Sequence, residues 1–326
     1  MLSRVADSLY WMSRYLERAE HTARLLDVNL NLMLDEGREA TGLRWERLLT
    51  SLVADVKIPA SNMAYTITEA LTFTVGNPFS IAACIGSARE NARQVREQIS
   101  SEMWEQINTL YLQVRRTSMD QIWNDEPHEF FKTVREGAHL FQGITDATMS
   151  HGEGWQFIQV GRFIERAINT ANLVDAHFRT VIPIEEGEDT HEFLEWVGLL
   201  KSCTAFEAYC KVYTANVQPQ QVAEFLLLNA DFPRSVRFSA NMIQSALQDI
   251  ADRTGTRRGG RAERLAGRLR AALDYSQVDE ILAENLHGYL ESTQRQCLQI
   301  HAALYQTYIA YPIDAALVQS SIVSSQ

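Results

Sequence analysis

Arg14, Glu17 and Arg18 recur as Arg162, Glu165 and Arg166 at a constant offset (165 − 17 = 148). Guanidinium forks match planar acidic groups bidentately. Arginines so placed would therefore build an anion or carboxylate site, with Glu17 and Glu165 orienting them. Arg89, Arg93 and Arg234 are second candidates, lying near the expected starts of helices, where anions are favoured. A different chemistry is spelled by two Glu-x-x-His pairs, Glu136–His139 and Glu284–His287, again 148 apart. In chain order, Glu17, Glu136 with His139, Glu165, and Glu284 with His287 reproduce the ligand order of a four-helix carboxylate protein holding an iron or manganese pair. Against a metal, each ER glutamate stands beside an arginine, and at least three other helices are expected between Glu17 and Glu136. No Gly-rich phosphate loop, nucleophile elbow or zinc-finger spacing is present.

The elements that would position these groups are themselves duplicated. Leu9–Asp27 and Phe157–Asp175 share Arg14, Glu17, Arg18, Ala19, Thr22, Ala23, Leu25 and Asp27 with Arg162, Glu165, Arg166, Ala167, Thr170, Ala171, Leu173 and Asp175. Apolar residues step by three and four through both, the spacing of one helix face. Tyr10, Trp11, Tyr15 and Leu25 add apolar surface on other faces. The two helices are thus expected to be central and their charges enclosed, and enclosed charges need partners. Two readings stay open. The ER helices cross near a pseudo-twofold axis, each glutamate pairing with an arginine of the other copy, or the arginines face a ligand.

The duplication extends further. WERLLTS at Trp45 matches WVGLLKS at Trp196, and Pro78-x-Ser80 matches Pro233-x-Ser235. The expected fold is all-α, a tandem-duplicated helical bundle with a pseudo-twofold relation between halves. Residues 1–149 and 150–326 are the two repeats, packed as one globular unit about a hinge at Ser150–Gly154. Ser3 is expected to cap the first helix and Gly37 to end it, and Pro59 interrupts. Asn77 and Pro78 should open a helix that continues through Ser100. Further helices are expected over Met63–Val75, Trp104–Arg116, Glu129–Met149 and from about residue 280 to Tyr308. Pro183–Asp189 reads as an acidic loop, and Arg253–Arg270 as a basic cluster opening with a Gly-rich loop.

At 326 residues and 46 % hydrophobic, with 7 prolines and 16 glycines, the composition fits a helical globular protein. A net charge of −11 argues against general nucleic-acid binding. No apolar run reaches membrane-span length, and no signal peptide is expected. The 4 cysteines are scattered, as expected of reduced thiols in the cytoplasm.

The strings RYLERAEHTARLLD, SARENAR, GITDATMSHGEGWQFIQVGRFIERA and FPRSV, in this order, resemble the alpha-E family, an all-helical and usually tandem domain with an ER motif. The resemblance places that motif on Glu17–Arg18 and Glu165–Arg166. It implies a component of a peptide synthesis or modification system, working beside an ATP-grasp ligase, a transglutaminase-like protein and an N-terminal-nucleophile peptidase. It supplies no reaction. The expectation is an accessory, non-catalytic protein without a cofactor that binds such a ligase, or a carboxylate or peptide, through its ER helices. The alternative is an enzyme, either the di-metal protein above or an amide-forming transferase.

Overall fold

The computed structural model describes residues 1–33, 38–54, 56, 62–124, 126–180, 189–255 and 260–310. Gly37, Pro59, the 183–188 stretch, Arg257, Arg258, Gly259 and the tail from residue 311 lie outside them. Among the described residues the chain forms 15 α-helices and no strand.

Two long helices occupy the centre, α1 (Ser3–Leu32) and α8 (Glu153–Thr180). Both bury residues around most of their circumference, as the extra aromatic residues require. They cross where Gly161 lies on α1. A Cβ there would run into Ser13 Oγ and the Tyr10 carbonyl oxygen, so only glycine permits the approach. After α1 come α2 (Arg38–Leu52), α3 (Met63–Phe73), α4 (Ile81–Gln94), α5 (Ser101–Arg116), α6 (Met119–Asn124) and α7 (Pro127–Thr148). After α8 come α9 (Asp189–Ser202), α10 (Phe206–Tyr213), α11 (Pro219–Leu228), α12 (Val236–Thr254), α13 (Arg261–Tyr275), α14 (Val278–Glu284) and α15 (Leu286–Leu304). A π turn, Tyr305–Ile309, follows. Helix α1 packs on α4, α7 and α8, and helix α8 on α2, α12 and α15.

The burial pattern of the first half recurs in the second, element by element. Phe131, Val134, Ala138, Phe141 and Thr145 of α7 are buried, as are Leu290, Thr293, Cys297, Ile300 and Leu304 of α15, each 159 positions on (290 − 131 = 159). The same offset takes Met103, Ile107, Leu110 and Val114 of α5 to Ala262, Ala266, Leu269 and Leu273 of α13. An offset of 155 (236 − 81 = 155) takes Ile81, Cys84, Ile85 and Ala88 of α4 to Val236, Ser239, Ala240 and Ile243 of α12. Trp45, Leu48, Leu49 and Leu52 likewise match Trp196, Leu199, Leu200 and Cys203.

Several local expectations change. Leu2, not Ser3, precedes α1, with no side-chain cap. Asn77 and Pro78 form a turn instead, Asn77 Oδ1 accepting from Phe79 N–H. The caps are Ser80 and Ser235, whose hydroxyls accept from Ala83 and Phe238 N–H. Helix α4 stops at Gln94, because Val95 leaves helical geometry and a 3-10 turn over Arg96–Gln98 leads to the Ser100 cap of α5. The closing helix is broken at Asn285, whose extended backbone and side chain cap α15. The basic stretch is largely helical where described: Arg253 lies in the last turn of α12, Gly255 ends that helix in the left-handed region, and α13 begins at Arg261.

Candidate functional site

The ER residues, buried except for the partly exposed Arg18, meet each other across the α1–α8 crossing. Arg14 Nε and Arg18 Nε donate to the two oxygens of Glu165, at 2.7 and 2.6 Å. Arg166 grips Glu17 with both Nε (2.7 Å) and Nη2 (2.8 Å). Each glutamate thus pairs with arginine from the other half. The opposed guanidiniums hold both carboxyl groups below the ordinary carboxylate range despite burial. Tyr10 accepts from Arg14 Nη1 (3.2 Å), and its hydroxyl lies 2.8 Å from His301 Nδ1. The Arg14 guanidinium also lies 4.7 Å from the Trp11 ring centre and that of Arg18 5.1 Å from Phe79.

Arg162, the counterpart of Arg14, has no such carboxylate. Its nearest acid is Asp146, with Nη1 to Oδ2 at 3.8 Å. Burial and the neighbouring Arg166 lower its affinity for the proton. Arg234 also joins the network, reaching Glu17 (3.2 Å) and Glu20 (2.8 Å). Arg89 and Arg93 do not. Arg89 donates to Asn108 and lies over Tyr111, tying α4 to α5, and Arg93 makes an exposed pair with Glu90.

The di-metal set is not assembled. Glu17 and Glu165 spend their oxygens on guanidiniums, and Glu136 is exposed on α7. The second Glu-x-x-His is split, since Glu284 ends α14 whereas His287 follows the Asn285 cap and bonds Asp175 (2.8 Å). The burial register also aligns His287 with His128, which bonds Asp27 at 2.8 Å, and not with His139. Among the described residues no three His, Cys, Asp or Glu side chains are arranged to hold a metal ion. These residues do not fit an iron or manganese pair.

Sequence reasoning missed the polar stripe that α7 lays along this network. Arg135 reaches Asp27 (2.9 Å), His139 lies 3.2 Å from Glu20, Gln142 donates to Glu17 (3.2 Å), and Asp146 faces Arg162. Glu20 also pairs with Arg24. The available signal was the mismatches within the repeat: Glu20, His21 and Arg24 stand where the second copy has Ile168, Asn169 and Asn172.

A second cross-half contact lies between α2 and α9. Glu195 accepts from Arg44 Nη2 (2.6 Å) and from Arg47 Nη1. These groups and the buried, neutral His177 edge a cavity of about 50 Å³ walled by Leu25, Leu48, Leu173 and Leu199. That is room for water or a small group.

A two-half, all-helical protein whose central helices exchange Glu–Arg pairs is the class that this geometry defines. The Alpha-E family, described as a predicted alpha-helical domain with a conserved ER motif, matches residues 1–309, and the chain belongs to it. Uncharacterised proteins of Mycobacterium bovis and Mycobacterium tuberculosis are 24 % identical over 322 residues, covering 92 % of this chain and 35 % of theirs. The chain therefore spans about a third of the length of those relatives. No solved structure matches it. Among the described residues no helix is long and apolar enough to cross a membrane.

Proposed function

We propose that the chain is an accessory component of a peptide synthesis or modification system, without catalysis of its own, that holds a partner such as an ATP-grasp ligase or its carboxylate-bearing peptide. We read the halves as related by a pseudo-twofold axis through the α1–α8 crossing. One observation carries the accessory role: both oxygens of Glu17 and both of Glu165 are engaged by guanidiniums from the opposite half. Carboxylates so spent leave nothing for acid–base or metal work, and the ER motif becomes the frame rather than the tool. Binding then falls to the surface the frame supports. A groove of about 750 Å³ between α5, α6 and α7 has Val114, Ile122, Phe130 and Val134 in its lining, and the same helices expose Leu112, Trp123 and Leu140. The much longer relatives support a region that works beside further domains.

The test is Glu17→Gln with Glu165→Gln, read for thermal stability and for co-purification with an ATP-grasp ligase. Each change strands buried guanidiniums, so a loss of about 3–5 kcal/mol per site is expected. Variants at the exposed residues of the same helices, Leu112→Glu and Leu140→Glu, should leave the fold intact and abolish co-purification. Turnover by the isolated chain, or stoichiometric iron or manganese in it, would overturn the reading.

A further inference from the structure

The two halves solve one packing problem twice, and at one place they solve it with different chemistry. Beside Glu17, the first-half solution uses Glu20 and Arg24 of α1, Arg135 and His139 of α7, and Arg234 before α12. The repeat offsets place Ile168, Asn172, Gln294, Leu298 and Phe79 at the equivalent positions. Exposure matches across the pairs on α7 and α15: Arg135 and Gln294 are half-buried, His139 and Leu298 exposed. At the other three positions Glu20, Arg24 and Arg234 are buried where Ile168, Asn172 and Phe79 are half-buried, and all five equivalents are apolar or neutral. Buried charges are costly, and replacing them by packed hydrophobic groups is often neutral or stabilising. Their presence around Glu17 and not around Glu165 needs a reason other than folding.

The cluster's chemistry supplies one. Arg24, Arg135, Arg166 and Arg234 face Glu17, Glu20 and Asp27, an excess of one positive charge. The flanking His21 and His139 are neutral, both pushed down to about 4, first by burial. Arg24 and His21 are each 3 % exposed, yet Arg24 Nε and His21 Nε2 make no hydrogen bond, and neither does Arg135 Nε. The cluster reaches solvent at the His139 side chain, which is 49 % exposed. His139 Nε2 lies 3.4 Å from Arg24 Nη2.

We propose that this one-sided cluster between α1 and α7 is an oxyanion site that takes the carboxylate of a peptide or amino acid. A monoanion matches the single excess charge. A phosphate dianion would exceed it and be repelled by Glu20. Arg24 and Arg135 supply the free donors, and His139 stands at the mouth. The proposal deepens the accessory reading, on which its choice of a peptide carboxylate rests.

The experiment uses N-acetylglycine as probe, with N-acetylglycinamide, inorganic phosphate and sodium chloride at matched ionic strength as comparisons. Binding is read on the full chain from the histidine side-chain ¹⁵N shifts. The variant is Glu20→Ile, Arg24→Asn, Arg135→Gln, His139→Leu and Arg234→Phe together, the residues found at the equivalent positions of the other half. The expected result is saturable binding of N-acetylglycine alone, shifts at His21 and His139, and at least a tenfold loss of affinity in a variant that melts no lower than the parent. An unfolded variant, unchanged affinity in a folded one, equal binding of the amide, or preference for phosphate would overturn the site. Co-purification with the ligase is scored separately. Ligase capture without N-acetylglycine binding removes the site and spares the accessory reading, and the converse result removes the accessory reading alone.

Discussion

A buried arginine is worth what its carboxylate makes it worth. Arg14 is tied to Glu165 at 2.7 Å, whereas Arg162, equally duplicated and equally buried, stands 3.8 Å from the half-exposed Asp146. Arg14→Gln should therefore cost about 3–5 kcal/mol in urea unfolding, and Arg162→Gln within about 1 kcal/mol. Equal losses would refute the distinction. The buried histidines set the acid limit. An unfolded histidine binds its proton near pH 6.5, but in the fold His21 does so only at about 4 and His177 well below its ordinary value. Acid thus favours the unfolded chain. Stability is full above pH 6.5 and falls by up to about 1.4 kcal/mol per unit for each such histidine as the pH drops towards 4. Below about 4.5, protonation of the depressed Glu17 and Glu165 adds a further loss. His177→Asn, the residue at its counterpart Asn29, should flatten the fall in melting temperature between pH 7 and pH 5, and an unaltered slope would rule His177 out as its source. Much of this was legible in the sequence. The repeat named the ER residues and predicted their enclosure, and pairing across the halves was one of the two readings it left open. The partners from α7 were not legible, because Arg135, His139, Gln142 and Asp146 lie on a helix whose apolar face alone repeats.

At the scale of elements, helix identity followed from apolar spacing and helix ends often did not. Val95 and Ile99 are both buried, so the apolar pattern runs on through a turn that the backbone does not continue as helix. Asn285 breaks the closing segment for the same reason, with Ile281 buried before it and Leu290 after it. The apparent match of the two Glu-x-x-His pairs was a casualty of that break. The tightest element contact is the α1–α8 crossing at Gly161, whose counterpart, 148 positions back, is the Ser13 that it touches. Gly161→Ala puts a methyl group against backbone that cannot yield as a flexible side chain would. The expected cost is about 1–3 kcal/mol, seen as a lower urea midpoint, with the Glu17–Arg166 and Glu165–Arg14 pairs pulled apart. Gly143, with open space around its Cβ position, is the control, and Gly143→Ala should be harmless. A Gly161→Ala protein of parental stability would show that the helices do not need this approach.

For the molecule as a whole, the helices before and after Ser150 share repeated sequence and are tied together by charge. Glu17 is neutralised by Arg166 and Arg234, Glu165 by Arg14 and Arg18, and Glu195 by Arg44 and Arg47. Residues 1–151 expressed alone should show no cooperative thermal transition. Co-expressed with 152–326, they should co-purify and melt as one unit, and a cooperative melt of the first half alone would disprove the mutual dependence. The α2–α9 contact adds a rule about partners. Positions 44 and 195 stand at the same place in the two repeats, immediately before Trp45 and Trp196, and carry opposite charges. Two first halves brought together would set arginine against arginine there, and two second halves glutamate against glutamate. Like refuses like, so this one contact favours the joining of a first half to a second half over the joining of two like halves.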